Sequence, residues 1–468
     1  MPAQLSKFAI DTSCMDYVHP WTTSCISSNT GLGLHSLQES LRIYTTVYII
    51  AFLMRKKIPS KEDIIKTALG ILQSTAFLSW SGFSYAMFIC LLRRIFGCFY
   101  LPTISFLPAF LSSFTAILIE RTSRRTLLCL YVSNIATETL FRMGVWRGYF
   151  SPIPKGEVYI FAVSVAVLLY FFRSKVNKQD QIYKILRIIA GKHEESEYLI
   201  NRNSRPETTS DNETVDRIPE SGKSLRNNSR KPRTNIVRTS FETYKYIINI
   251  IKAQSKHASC PHPYSCIHYV LMDSAKLFGY GVCGQLALNS ILQFKRLLQK
   301  PKLLKSIVFR KQNLNLAVFV GGFTGLYRLA SCLLRRTFNK DSHTYAIPAG
   351  LIASTAFMAF PNNTITLYFM WKALQLLWND AVEKKKLPEV KWFVIFLYCL
   401  STSILFHAAI MEPQNLRSSY WRFLYNMSGG RIAIMRREPL DFFGLETSKH
   451  LQEVLRKTKT TDKLTFSF

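Results

Sequence analysis

The amino-acid sequence predicts an all-α, multi-pass membrane protein. It reads as two homologous units of about four transmembrane helices, each preceded by an amphipathic helix and joined by a disordered basic linker. Three observations carry this prediction. First, the chain nearly repeats itself: Cys90 to Phe96 reads CLLRRIF and Cys332 to Phe338 reads CLLRRTF, six identities in seven at an offset of 332 − 90 = 242. Second, the 468 residues are 48% hydrophobic yet strongly basic, with 60 Lys and Arg against 29 Asp and Glu. Third, the basic residues cluster between apolar runs, at Arg55-Lys56-Lys57, Arg93-Arg94, Arg124-Arg125 and Arg335-Arg336. Such clusters suit phosphate headgroups at the edges of membrane spans.

The repeat extends to both sides of the paired motif. His19-Pro20-Trp21 leading to Ser24-Cys25 is echoed by His262-Pro263-Tyr264-Ser265-Cys266, and Pro108-Ala109 with Thr115-Ala116 returns as Pro348-Ala349 with Thr355-Ala356. A period of about half the chain is too long for a solenoid and indicates duplication of a whole structural unit. The charge does not argue for nucleic-acid binding, because no recognition motif accompanies it.

Four regions follow in order. Residues 1–172 hold a first Cys/His segment, an amphipathic helix and a four-span unit. Residues 173–245 form the polar linker, residues 246–411 a second Cys/His segment and four-span unit, and residues 412–468 a soluble tail of one or two short helices. The expected spans lie near 67–92, 99–119, 126–145 and 156–172, then near 314–334, 345–360, 364–382 and 391–411. Several are short or polar-flecked, which implies helices that shelter one another or a thinned bilayer.

Ahead of each set, Leu41 to Met54 and Val270 to Phe294 read as interfacial amphipathic helices, since the first is short before Arg55 and the second carries Asp273 and Lys276. Four spans per unit give both halves one orientation, whereas a fifth would invert the second half. From Glu194 to Arg233 the linker is too rich in Ser, Asn, Arg, Glu and Pro to bury a core. Asn212-Glu213-Thr214 and Asn227-Asn228-Ser229 are formal glycosylation acceptors, expected to be unused. No secretory signal, amphipathic presequence, lumenal peroxisome address or lipidation pattern is expected at either end, so targeting information should be internal.

The ten cysteines divide into two kinds. Cys90, Cys98, Cys129, Cys283, Cys332 and Cys399 lie in or beside apolar segments and read as packing residues. Cys14 and Cys25 flank His19 outside the spans, and Cys260, His262, Cys266 and His268 form C-x-H-x3-C-x-H, enough ligands for a tetrahedral zinc ion. Disulfides Cys14–Cys25 and Cys260–Cys266 are the competing reading for an oxidising compartment, and plain packing the third.

His268 and Asp273 also match the H-x4-D arrangement of glycerolipid acyltransferases, but no phosphate-cradling Gly-rich loop follows and the first half has no counterpart. No P-loop, dinucleotide fingerprint, nucleophile elbow or zinc-protease motif is present, so the sequence points away from an enzyme and names no catalytic or cofactor-binding residue. Intramembrane charge is costly unless paired or facing water. Glu138 and Arg142, four apart, can neutralise each other, whereas Arg328 and Lys372 have no evident local partner. Gly321 and Gly325 form a G-x-x-x-G that lets helices approach closely.

Longer stretches are familiar. Ile117-Leu118-Ile119-Glu120-Arg121 with Ser123-Arg124-Arg125, then Ala136-Thr137-Glu138-Thr139-Leu140-Phe141-Arg142-Met143-Gly144-Val145, closely resemble the transmembrane protein 135 family, also called peroxisomal membrane protein 52. So do Ala408 to Glu412, Leu416-Arg417, Ser419-Tyr420-Trp421, Asp441, Phe443-Gly444 and Ser448-Lys449-His450.

The resemblance implies a multi-pass, non-enzymatic protein of peroxisomal and mitochondrial membranes. It implies roles in mitochondrial fission and fusion balance, peroxisome organisation and lipid metabolism. Expected partners are membrane lipids, a dynamin-related fission GTPase and the peroxisomal import machinery, with no nucleic acid. The family more distantly resembles the four-helix subunits of mitochondrial inner-membrane import translocases, and the alternative function is accordingly a transporter or translocase-like groove between the two units. Glu138, Arg328 and Lys372 are the residues expected to face such a groove.

Overall fold

Helices dominate the computed structural model, which describes residues 9–53, 60–174, 181–195, 236–292 and 313–460. The first long helices are α1 (Cys25–Leu53) and α2 (Lys61–Phe96), followed by α3 (Phe106–Ile119), α4 (Thr122–Trp146) and α5 (Gly156–Ser174). After α6 (Gln181–Ile189) and α7 (Ile236–Ala253) come α8 (Cys266–Leu292), α9 (Asn313–Phe338), α10 (Ala346–Ala353), α11 (Asn363–Glu383) and α12 (Phe393–Met411). Two more, α13 (Ser418–Met427) and α14 (Thr447–Thr458), complete the described chain. A two-residue antiparallel ladder pairs β1 (Ala9–Ile10) with β2 (Phe99–Tyr100), Ala9 opposite Tyr100.

Local chemistry explains the element ends. α2 begins at a capping box, in which Ser60 and Asp63 each accept from the other's backbone N–H, and it ends at Gly97, whose φ of 74° suits only glycine without strain. The expected span 99–119 is interrupted by β2, a turn from Leu101 to Ile104 and the kink at Ser105, so only the 14 residues of α3 are continuous helix. At 1.5 Å per residue that helix is about 21 Å long, short of the roughly 30 Å hydrocarbon core. Likewise 345–360 divides into eight-residue α10 and a six-residue 3-10 turn, Ser354–Ala359, before Pro361. α4 and α11 are long enough but carry Arg124, Arg125, Glu138 and Arg142, or Lys372, Asp380 and Glu383.

Among the described residues, four helices rather than eight are long and apolar enough to cross a membrane: Lys61–Phe96, Gly156–Ser174, Leu314–Phe338 and Phe393–Met411. Their outer faces expose Leu69, Leu72, Ile160, Val163, Val318, Leu333 and Phe396, apolar side chains that water would not favour in such numbers on long helices. The segments expected as interfacial helices are parts of longer ones, α1 with 29 residues and α8 with 27.

The chain folds into two compact units, divided differently from its halves. One contains Met1–Pro154 and Trp378–Phe468, the other Lys155–Leu377. In the first unit α12 packs on α3 and α4. Its core joins Ile89, Ile117 and Ile135 to Cys399, Leu405 and Ile410, and small hydroxyls bridge the helices, Ser133 to Ser401 at 3.0 Å and Ser84 to Ser112 at 2.8 Å. Residues 412–460, expected as a separate tail, pack into this same core through Leu416, Tyr420, Leu451 and the fully buried Trp421.

In the second unit α5 packs on α10, with Gly350 against Ala166 and Leu169, and Phe161 stacks on Phe357 at 4.0 Å. Part of the expected linker is ordered structure here: Ile182 and Leu186 of α6 are buried, as is Glu194. The remainder, including both glycosylation acceptors, lies outside the described residues.

Candidate metal centres

In the first unit α1 and α2 form an antiparallel hairpin, as shown by Gly33 against Phe83, Ser36 against Gly82 and Tyr48 against Gly70. In the second, α8 and α9 form another, with Ser274 and Phe278 against Gly321 and Gly325, and Gly281 against Ala317. A Cβ on Gly321 would lie 2.8 Å from that of Phe278, so this pair approaches as closely as glycine allows. Each hairpin brings the start of its first helix beside the last turns of its second. A Cys/His group lies at that end in both.

The first group is Cys14, His19, Cys25 and Cys90; the second is Cys260, His262, Cys266 and Cys332. Within each, one donor atom per residue lies within 4.8 Å of all the others, so either group could hold a metal ion such as zinc. Each draws its ligands from three places: the segment before the hairpin, the first residue of the first helix, and the cysteine of the CLLRR motif near the end of the second. His19 Nδ1 is 2.9 Å from the Thr22 carbonyl oxygen, and its Nε2 faces Cys25 Sγ at 3.2 Å. His262 repeats this, Nδ1 at 2.7 Å from the Tyr264 carbonyl oxygen and Nε2 at 3.5 Å from Cys332 Sγ. A backbone acceptor on Nδ1 holds a proton there and directs Nε2 at the cluster.

Hydrogen bonding from the Cys90 thiol outweighs burial and holds the Cys14 thiol below its usual value, aided by His19. In the same way Cys332 lowers Cys260 against burial, with His262 contributing. Burial opposes charge on His19, but Cys14, the Thr22 carbonyl and Cys25 raise it to about 9.

His268, expected as the fourth ligand of the second group, stands outside it. It is two residues along α8 from Cys266, a rotation of about 200° around the helix, so both cannot face one ion. Its ring meets Tyr264 edge-on at 5.0 Å instead, and Cys332 takes its place in the group. Nor does Asp273 attend His268, because its carboxylate accepts from Arg328 and, at 3.4 Å, from Lys276. Cys90 and Cys332, read from sequence as packing residues, are thus cluster members. All ten cysteines are free, Cys260 and Cys266 having their sulfurs 3.7 Å apart.

The charged residues considered for a groove, and the first arginine of each CLLRR motif, are engaged within their own units. Glu138 accepts from Arg142 and also from Arg417, which arrives from the segment after α12. Arg328, 2% exposed, pairs with Asp273, donates to the Ala190 and Tyr269 carbonyls at 3.2 Å, and lies 4.4 Å over the Tyr269 ring. The Lys372 ammonium donates to Gln375 at 2.9 Å. Deepest of all, Arg335 of the second CLLRR motif makes a two-pronged contact with Glu194, Nη1 to Oε1 at 2.8 Å and Nη2 to Oε2 at 2.5 Å. Arg93, its counterpart in the first motif, donates to the Thr12 carbonyl at 2.8 Å and pairs with Asp11.

Antiparallel helical hairpins, each closed at one end by a Cys/His group and accompanied by helices long and apolar enough to span a bilayer, define a helical membrane protein with paired candidate metal centres. Residues 11–145 match the family model for the N-terminal cysteine-rich region of Transmembrane protein 135, which supports membership of the transmembrane protein 135 family. All four members of the first Cys/His group fall inside that match. No solved structure matches the chain.

Proposed function

We propose that this chain is a non-enzymatic protein of peroxisomal and mitochondrial membranes. In this reading it acts in the balance of mitochondrial fission and fusion, peroxisome organisation and lipid metabolism. Its partners are membrane lipids, a dynamin-related fission GTPase and the peroxisomal import machinery. The family resemblance supplies the organelles and processes. The observation that favours a scaffold over a solute pathway is the state of the charges at Glu138, Arg328 and Arg335: each is engaged in an intramolecular ion pair. A conducting path needs charge presented to its cargo, whereas these pairs make a fixed framework. On this reading the two helix sets are products of duplication, and the basic segment after Glu195 is the docking element for a partner or for anionic lipid.

Cells lacking the endogenous protein test this when supplied with the full chain or with a chain lacking residues 197–234. That deletion spares Glu194, whose loss would damage the second unit by itself. The full chain should be recovered in peroxisomal and mitochondrial membranes and restore normal organelle division. The deleted chain should insert equally well and fail to restore it. Full rescue by the deleted chain removes the docking role, and recovery of the full chain from neither organelle removes the whole reading.

A further inference from the structure

We propose that both Cys/His groups are zinc sites, each a closed Cys3His centre that staples the open end of one helical hairpin. The first is Cys14, His19, Cys25 and Cys90, the second Cys260, His262, Cys266 and Cys332.

Geometry carries the assignment. Two sulfurs each about 2.3 Å from a tetrahedral zinc lie about 3.8 Å apart, and a sulfur and an imidazole nitrogen about 3.5 Å apart. The Cys260 and Cys266 sulfurs are 3.7 Å apart, and Cys332 Sγ is 3.5 Å from His262 Nε2. His19 Nε2 is 3.2 Å from Cys25 Sγ, a little tighter than the ideal edge. A disulfide needs sulfurs about 2.05 Å apart, so Cys260 and Cys266 are spaced as co-ligands and not as a bonded pair.

Two further observations point to the same ion. Both histidines have Nδ1 against a backbone carbonyl, the outer contact typical of a metal-bound imidazole. Cys25 and Cys266 are the first residues of α1 and α8, so each hairpin places one ligand at the start of its first helix, facing the CLLRR cysteine near the end of its second. Each site, carrying three thiolates against one Zn2+, has a net charge of about −1. The arginine three residues after each CLLRR cysteine lies on the same helix face, but its charge is engaged elsewhere, Arg93 with Asp11 and Arg335 with Glu194 and Asp341. The cysteine of the paired motif is thereby explained as a ligand. Binding displaces the thiol protons to solvent and changes no oxidation state. Four protein ligands leave no open position, so the sites are structural.

The test uses the full chain purified in detergent under reducing conditions, with metals quantified by mass spectrometry. We expect two zinc ions per chain. Cys90→Ser and Cys332→Ser should each lose one and the double variant both, while His268→Ala keeps two. Cobalt substitution of the wild-type chain should give the absorption of tetrahedral thiolate-bound Co2+. Chelation should lower its melting temperature and expose to alkylation the cysteines protected in the metal-bound form. The wild-type readouts hold even where a serine variant fails to fold. Zinc-free chain with freely alkylated thiols, a disulfide within either group, or stoichiometric iron in place of zinc overturns the proposal. A single zinc insensitive to Cys90→Ser overturns the first site.

Discussion

Removing the Glu194 carboxylate should destabilise the second unit severely, and in a pH-dependent way. Glu194 and Arg335 are both wholly buried, joined by bonds of 2.8 and 2.5 Å, and Arg173 Nε lies 3.5 Å from the same carboxylate. In Glu194→Gln two buried guanidiniums share the single charge of Asp341, which is 26% exposed and sits 2.5 Å from Arg173 and 2.9 Å from Arg335. Breaking a buried pair from one side costs about 3–5 kcal/mol, mostly the penalty on the charge left behind. The carboxyl's own titration gives a similar size. Burial pushes its pKa up, but Arg335 and Arg173 together bring it from 4.5 to about 2. That lowering corresponds to about 3 kcal/mol.

Because the folded-state value is the lower one, this stability is fully present above pH 4.5 and is lost as the pH falls toward 2. Thermal unfolding of wild type and Glu194→Gln in detergent, at pH 7 and at steps down to pH 2.5, measures both quantities. At pH 7 the variant should melt lower by on the order of 10 °C, and the gap should close progressively below pH 4.5. A loss under about 1 kcal/mol at pH 7, or a gap unchanged at pH 3, refutes the reasoning. Replacing Glu194 and Arg335 together by Met should cost less than either single change, since no charge is then stranded.

Three other outcomes follow from packing. Trp421→Ala should cost about 3–5 kcal/mol and make the segment after Glu412 protease-sensitive, because it empties a fully buried site whose indole donates to Thr460 at 3.2 Å; limited proteolysis reads this directly. Gly281→Val should force α8 and α9 apart, since even a Cβ would lie 2.6 Å from the backbone Cα of Ala317, while Gly97→Ala meets no neighbour and should lose only about 1 kcal/mol, from its positive φ. Their melting temperatures should rank accordingly. Arg417→Ala should be tolerated better than Arg335→Ala, because Glu138 keeps Arg142 whereas Glu194 would keep only the more distant Arg173; comparison of the two variants' melting curves decides it.

What was legible in the sequence was whatever depends on local pattern, including the helical character, the lead-in Cys/His segments and the long apolar runs. The site was legible too, but only by aligning the halves. Three pairs of potential ligands recur in register, His19 with His262, Cys25 with Cys266 and Cys90 with Cys332. Weighing each cysteine by its local surroundings hides this, since Cys90 and Cys332 sit in apolar runs and look like filler. Proximity along the chain favoured His268, but helix geometry turns it away from Cys266. Breaks within apolar runs were harder to see. Ser105 and the 3-10 turn after Ala353 shorten two expected spans, and neither leaves a strong mark in hydropathy.

The partition into units was not legible, for a physical reason. A repeat reports which segments share ancestry, whereas packing reports which segments bury one another, and here the two differ at the last helix of each set. α5 follows α4 in sequence but belongs to the second unit, and α12 follows α11 but belongs to the first. Residues 1–154 alone would leave Ser133, Cys129 and Ile135 of α4 facing the space that α12 fills with Ser401, Cys399 and Leu405. The second unit without α5 would likewise lose Phe161, Leu168 and Leu169 from the centre of its core. Neither half of the chain is therefore a complete folding unit. The zinc staples act on a different scale, closing within each half a hairpin whose ligands span residues 14–90 or 260–332. Contacts within each hairpin are thus local in sequence, whereas those that α5 and α12 make with their units are long-range.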